Sequence, residues 1–153
     1  MNNFKHNLIL IISVIFVAVT GSILVNYGME WFNMLAKPSQ WLPNFVIPVV
    51  WTIIYLIYTI FFFIQNSKYG INKNDTVCLI INGILNILWC LTFFTLKLTF
   101  VGFCVIVIND LFAFLIANSQ KGKNLSWILY IYPIWTCIAT GLNVALWILN
   151  WFL

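Results

Sequence analysis

The sequence predicts an all-α integral membrane protein: one domain, residues 1–153, built as a bundle of five transmembrane helices. Three observations lead there. Hydrophobic residues make up 63% of the chain and charged residues only 7%, against about 25% charged in soluble domains. Five apolar runs follow one another, each close to the roughly 20 residues that cross a hydrocarbon core as a helix. The lysines lie before or between these runs, where topology signals belong.

The first span covers about 8–25. Lys5 and His6 precede it, as in a signal peptide. The run is long, however, and Ala18-Val19-Thr20 makes a poor cleavage site, so an uncleaved helix is the default reading. A long connection, 26–45, comes next. It carries Trp31, Phe32, Trp41 and Phe45, with Pro38 and Pro43 to stiffen it. Loops of this length are usually functional. The second span covers about 46–64, the third 77–96, the fourth 100–117 and the fifth 126–151, joined by short polar segments.

Five spans put the termini on opposite sides. Lys5, Lys68, Lys73, Lys121 and Lys123 fall on the N-terminal side, and Lys37 and Lys97 on the other. By the positive-inside rule the N-terminus is cytoplasmic, with loop 26–45 and the C-terminus outside. No internal repeat appears, which argues against an inverted-repeat transporter.

The net charge of +4 comes from scattered lysines with no arginine. That is not a phosphate-binding stripe, so nucleic acid is not expected as a partner. Nor does it form the basic cluster that recognises anionic lipid heads. Cys78, Cys90, Cys104 and Cys137 lie in apolar runs without a C-x-x-C pair, and His6 is the single histidine. Metal-ligand spacing is missing. Thiols packed as small hydrophobes are the simpler reading.

Helical spacing gathers aromatics into stripes. Trp51, Tyr55, Tyr58 and Phe62 share a face of the second span; Asn82, Asn86, Trp89 and Phe93 share one of the third. Trp135, Ala139, Leu142 and Leu146 line up on the fifth, with Asn143 beside them. Trp31, Trp41, Trp127, Trp147 and Trp151 fit an interfacial belt. Trp89 and Trp135 are deeper, and their indole N–H groups need partners. Asn86 and Asn143 can bond across helices, at about 0.6 kcal/mol on average. On the residues alone, packing and pocket weigh equally.

Three further residues or pairs stand out. Asp110, mid-span, should face the bundle as a neutral acid bonded to an Asn or an indole, or else contact a ligand or proton. Pro133 should kink the fifth helix just before Trp135 and free the Leu129 carbonyl. Ala113 with Ala117, and Ala18 with Ser22, allow close helix contact within one chain or between two.

Taken together, the motifs resemble the translocator protein family, also called tryptophan-rich sensory proteins or peripheral-type benzodiazepine receptors. The residues that carry the resemblance are Trp31-Phe32, Leu35 and Lys37-Pro38-Ser39; Trp51 with Tyr55; Leu85-Asn86, Trp89 and Phe93-Phe94; and Trp135, Ala139-Thr140 and Leu142-Asn143. The resemblance implies a five-helix bundle, often a homodimer, with a pocket between helices closed by loop 26–45. It implies tetrapyrrole ligands such as protoporphyrin IX or haem, or synthetic benzodiazepine-site ligands, and no intrinsic cofactor. Carried over by position, the ligand-binding residues are Phe32, Pro38, Trp51, Asn86, Trp89, Trp135 and Ala139.

The chain departs from the family pattern in four places. Phe32 stands where the family usually has Tyr. Trp41 is displaced by one position and one proline of a pair is missing. The family's fourth-helix Asp aligns with Val105. No basic residue follows Lys123, so the sterol motif of animal members is absent, which argues against cholesterol and for a bacterial membrane, the cell membrane by preference.

Three functions follow from these readings. The first is a receptor or transporter for tetrapyrroles or similar flat ligands. The second is enzyme-like: light-dependent porphyrin breakdown with Trp51 and Trp135 in radical chemistry. No acid–base pair, activated nucleophile or metal cluster supports evolved catalysis. The third is a scaffold whose stripes are packing alone.

Overall fold

A computed structural model describes residues 3–39 and 42–151 of the chain. Five long helices are present: α1 Asn3–Met34, α2 Val46–Tyr69, α3 Lys73–Cys90, α4 Thr99–Ser119 and α5 Ile131–Leu149. Each, with its helical extensions, is long and apolar enough to cross a membrane, so the all-α five-span architecture holds. Their outward faces carry large apolar side chains such as Ile12, Leu56, Ile80, Leu111 and Ile138. In a bilayer such faces meet lipid at no hydrophobic cost.

The first connection is shorter than its sequence suggests. Helix α1 runs on through Asn26–Met34, so the loop is 35–45 rather than 26–45. Asn26, Gly28 and Glu30 look like loop residues, yet Phe32 is buried here against Phe93 and Phe94. That burial rewards keeping the last turns helical. Lys37 then caps the helix end. Its ammonium donates to the carbonyls of Phe32 at 2.7 Å and Asn33 at 3.3 Å, and lies 4.8 Å from the Phe32 ring centroid. A cation here also meets the negative end of the helix dipole. Partial burial lowers the Lys37 pKa from its ordinary value of 10.5. Trp41 lies outside the described residues.

Helix α3 ends in a π-helical turn, Leu91–Thr95. The wider turn brings the adjacent Phe93 and Phe94 both into the interior. It also presents the Phe94 carbonyl to α1: a Cβ on Gly28 would stand 2.0 Å from that oxygen. Glycine is what lets the two backbones meet. The Thr95 hydroxyl adds a bond to the Leu24 carbonyl at 3.0 Å.

The fifth span also differs from expectation. A 3₁₀ turn, Ser126–Tyr130, precedes α5, and Pro133 falls in the first turn of the α-helix rather than in its interior. Proline costs little there, because first-turn N–H groups lack intrahelical partners anyway. Trp135 thus follows a helix start rather than a mid-helix proline. The Leu129 carbonyl, which Pro133 cannot serve, accepts from the Tyr58 hydroxyl at 3.0 Å.

Ala113 and Ala117 are fully buried in one cluster with Tyr58, Phe61, Phe62 and Leu129. Their small size is used inside the chain, where α4 packs on its neighbours.

Candidate functional site

Four helices are stitched together at mid-depth by amides and phenols. Asn82 of α3 donates to the Asn109 side-chain oxygen of α4 at 2.8 Å. Asn109 and Asn86 both donate to the Tyr132 hydroxyl of α5, at 3.2 and 3.0 Å. The Tyr55 hydroxyl of α2 donates to the Asn86 side-chain oxygen at 3.3 Å. A network satisfied at so many members fixes helix register and holds Asn86 and Tyr55 in place.

Toward the 35–45 connection, this network gives way to aromatic walls and two cavities. The larger, about 330 Å³, lies between α1, α2 and α3. Trp51, Tyr55, Asn86 and Trp89 line it, with Met29 and Phe32 of α1. Ser22, Asn26 and Thr52 also line it and are exposed, which puts its mouth between α1 and α2. The smaller, about 40 Å³, is lined by Trp135, Ala139, Leu142, Asn143 and Leu146 of α5. Phe32, Ile47, Trp51, Trp89 and Phe94 border both. They form a partition one side chain thick. Within it, Trp51 and Trp89 lie 6.2 Å apart and tilted by 34°, and Trp89 stacks on Phe93 at 6.1 Å.

The two deep indoles differ. Trp89 Nε1 donates to the Asn143 side-chain oxygen at 3.1 Å, and Asn143 donates to the Thr99 carbonyl at 3.0 Å. Trp135 Nε1 is buried and has no partner among the described residues; the same holds for the Thr140 hydroxyl. An unmade bond of this kind costs about 1–3 kcal/mol.

The sequence-predicted residues therefore divide. Phe32, Trp51 and Trp89 stand in the partition. Asn86 faces the larger chamber, and Trp135 and Ala139 face the smaller. Pro38 is half-buried and borders neither. From the α2 stripe, Tyr58 and Phe62 are core packing. Among the described residues, Asp110 is not bonded to an amide or an indole. Its carboxylate accepts from the Thr136 hydroxyl and, at 3.0 Å, from the Cys137 thiol, at the α4–α5 seam. Its neighbour Asn109 takes the inward position. Sequence reasoning missed Asn109, Tyr132 and Phe94. The pairing of Asn109 with Asn82, one full span apart, was the available signal for the first.

The fold and site thus define a helical membrane protein with an aromatic, partitioned internal cavity. Residues 9–148 match the TspO/MBR family, and the chain belongs to that family. It is similar to the tryptophan-rich protein TspO of Bacillus cereus, at 24% identity over 132 residues, covering 84% of this chain and 86% of that protein.

Proposed function

We propose that this TspO-type membrane protein is a receptor or transporter for tetrapyrroles, such as protoporphyrin IX or haem, or for similarly flat apolar ligands. The observation that carries the reading is the Trp135 indole N–H, buried without a partner beside the chamber at Ala139. Packing alone would satisfy that donor or replace it by an apolar ring. A ligand acceptor reaching the chamber satisfies it on binding.

The two-chamber geometry adds a condition. Ligand pockets usually measure about 300–1,000 Å³. The larger chamber reaches the bottom of that range and the smaller falls far short. A tetrapyrrole that engages Trp135 must displace part of the partition, and Trp51 is the side chain to move. Indole and phenyl faces on both sides suit a flat π-system. The lysine distribution supports a cytoplasmic N-terminus, and the missing basic residue after Lys123 supports a bacterial cell membrane.

The test is a dark titration of detergent-purified protein with protoporphyrin IX, followed by Trp fluorescence. Saturation near one ligand per chain is expected, weakened by Trp135→Phe and by Asn86→Ala. Linear, unsaturable quenching that is equal in all three proteins means partition into the micelle and overturns the reading. Illuminating the saturated samples and analysing for new porphyrin products separates binding from light-driven breakdown at Trp51 and Trp135.

A further inference from the structure

At the end of the bundle nearest the 35–45 connection, the Asn150 side chain grips the backbone of Ala36. The Ala36 N–H donates to Asn150 Oδ1 at 2.9 Å, and Asn150 Nδ2 donates to the Ala36 carbonyl at 3.0 Å. One side-chain amide thus serves both polar groups of one residue across a gap of 114 positions in the chain.

The place of this clamp gives it meaning. Ala36 lies four residues beyond Phe32, and Asn150 four residues beyond Leu146. Phe32 and Leu146 both line the smaller chamber. The clamp therefore sits just past the chamber on two of its walls and ties the end of α1 to the end of α5 there. Asn150 itself borders neither cavity. Both bonds are exposed, so water can replace them when they open. Meanwhile the ammonium of Lys37 caps α1 independently, so the helix end survives an open clamp.

We infer that Asn150 is a positioning residue that shuts the Trp135–Ala139 chamber by holding Ala36, and that breaking this pair opens the chamber at the α1–α5 seam. The inference rests on the proposed function only where ligand kinetics are concerned. Opening itself can be read without ligand.

The experiment uses the full chain in lipid nanodiscs, with Ala139→Cys as a reporter inside the chamber. A water-soluble methanethiosulfonate reagent is added and its attachment is followed at each cysteine by peptide mass. Adding Asn150→Ala is expected to speed modification at position 139 about tenfold. Cys137, on the same helix, outward in the bundle and bordering neither cavity, should stay slow. The Ala36 amide should exchange its hydrogen faster by a similar factor. Asn150 also donates to its own helix, at the Leu146 carbonyl, so Asn150→Asp is the second variant. It keeps an acceptor for the Ala36 N–H and should fall between the parent and Asn150→Ala. Protoporphyrin IX release should accelerate in the same order.

Unchanged labelling at position 139 in both variants overturns the inference. So does equal acceleration at Cys137, which would mean that α5 loosens as a whole. If the parent protein shows no saturable porphyrin binding, the ligand reading fails, while the labelling rates still decide the clamp.

Discussion

Helices α3, α4 and α5 share one continuous network of buried amides around a phenol; α1 stands outside it and has its own buried amide pair, Asn7 with Asn66 of α2. Asn82, Asn86, Asn109 and Tyr132 form a continuous chain of bonds in the interior. Helix α1 packs along α2, α3 and the π-turn, but its side-chain hydrogen bonds to the bundle are spaced apart. Asn7 bonds with Asn66 and Ser67 near one end, Thr95 reaches Leu24 further along, and the Asn150 clamp follows just past the other end. Between these points lies the larger cavity. The contrast distinguishes a frame, α2 to α5, held in register by the interior network, from α1, which packs on that frame outside the network.

The largest expected effect comes from the place where α1 meets the frame most closely. Gly28→Ala puts a methyl 2.0 Å from the Phe94 carbonyl oxygen, and backbone cannot give way as a side chain can. Overpacking costs about 1–3 kcal/mol, sometimes more, and this site should lie at or above the top of that range. Thermal unfolding in detergent, compared with a Gly141→Ala control whose Cβ meets nothing within 4 Å, measures it. Equal melting temperatures would mean that α1 packs differently against the π-turn.

Next is the frame itself. Tyr132→Phe removes the hydroxyl that accepts from both Asn86 and Asn109. Two buried donors lose a partner at once, for an expected loss of about 1–3 kcal/mol. Because Asn86 borders the larger chamber, porphyrin affinity should fall too. A smaller effect belongs to Asn7→Ala at the far end of α1, where two bonds worth about 0.6 kcal/mol each are lost. It should lower the melting temperature slightly and leave porphyrin affinity unchanged. If Asn7→Ala costs as much as Tyr132→Phe, α1 is as firmly held as the frame, and the contrast fails.

How much of this was legible depends on range. Hydropathy located all five spans, because a membrane demands long apolar runs whatever their partners. The end of α1 was not legible. Asn26, Gly28 and Glu30 carry loop signals, and what overrides them is Phe32 packing on a π-turn more than sixty residues away. Pro133 reads as a kink in the sequence, because the sequence does not show that a 3₁₀ turn precedes it and moves the helix start to Ile131. Spacing did gather Trp135, Ala139, Leu142, Asn143 and Leu146 correctly on one wall. The division of the site into two chambers could not be read, since it depends on how Trp51, Trp89 and Phe32 from three helices meet. Asn150 bore no local signal at all: its partner is a backbone.

The smallest stability effect is the most informative, and it sets the two deep indoles against each other. Trp89→Phe leaves the Asn143 side-chain oxygen without its donor, at a cost of about 1–3 kcal/mol. Trp135→Phe breaks no bond among the described residues and removes a donor that is already unsatisfied. Its cost is the smaller ring alone, offset by the relief of that donor, so the melting temperature should shift less than in Trp89→Phe. Porphyrin affinity should nevertheless fall, because the group lost is the one free to meet a ligand acceptor. Stability and affinity thus separate at Trp135 and move together at Trp89. Equal destabilisation by the two changes would mean that the Trp135 N–H is already bonded, for instance by a buried water, and the main support for a ligand-binding chamber would be gone.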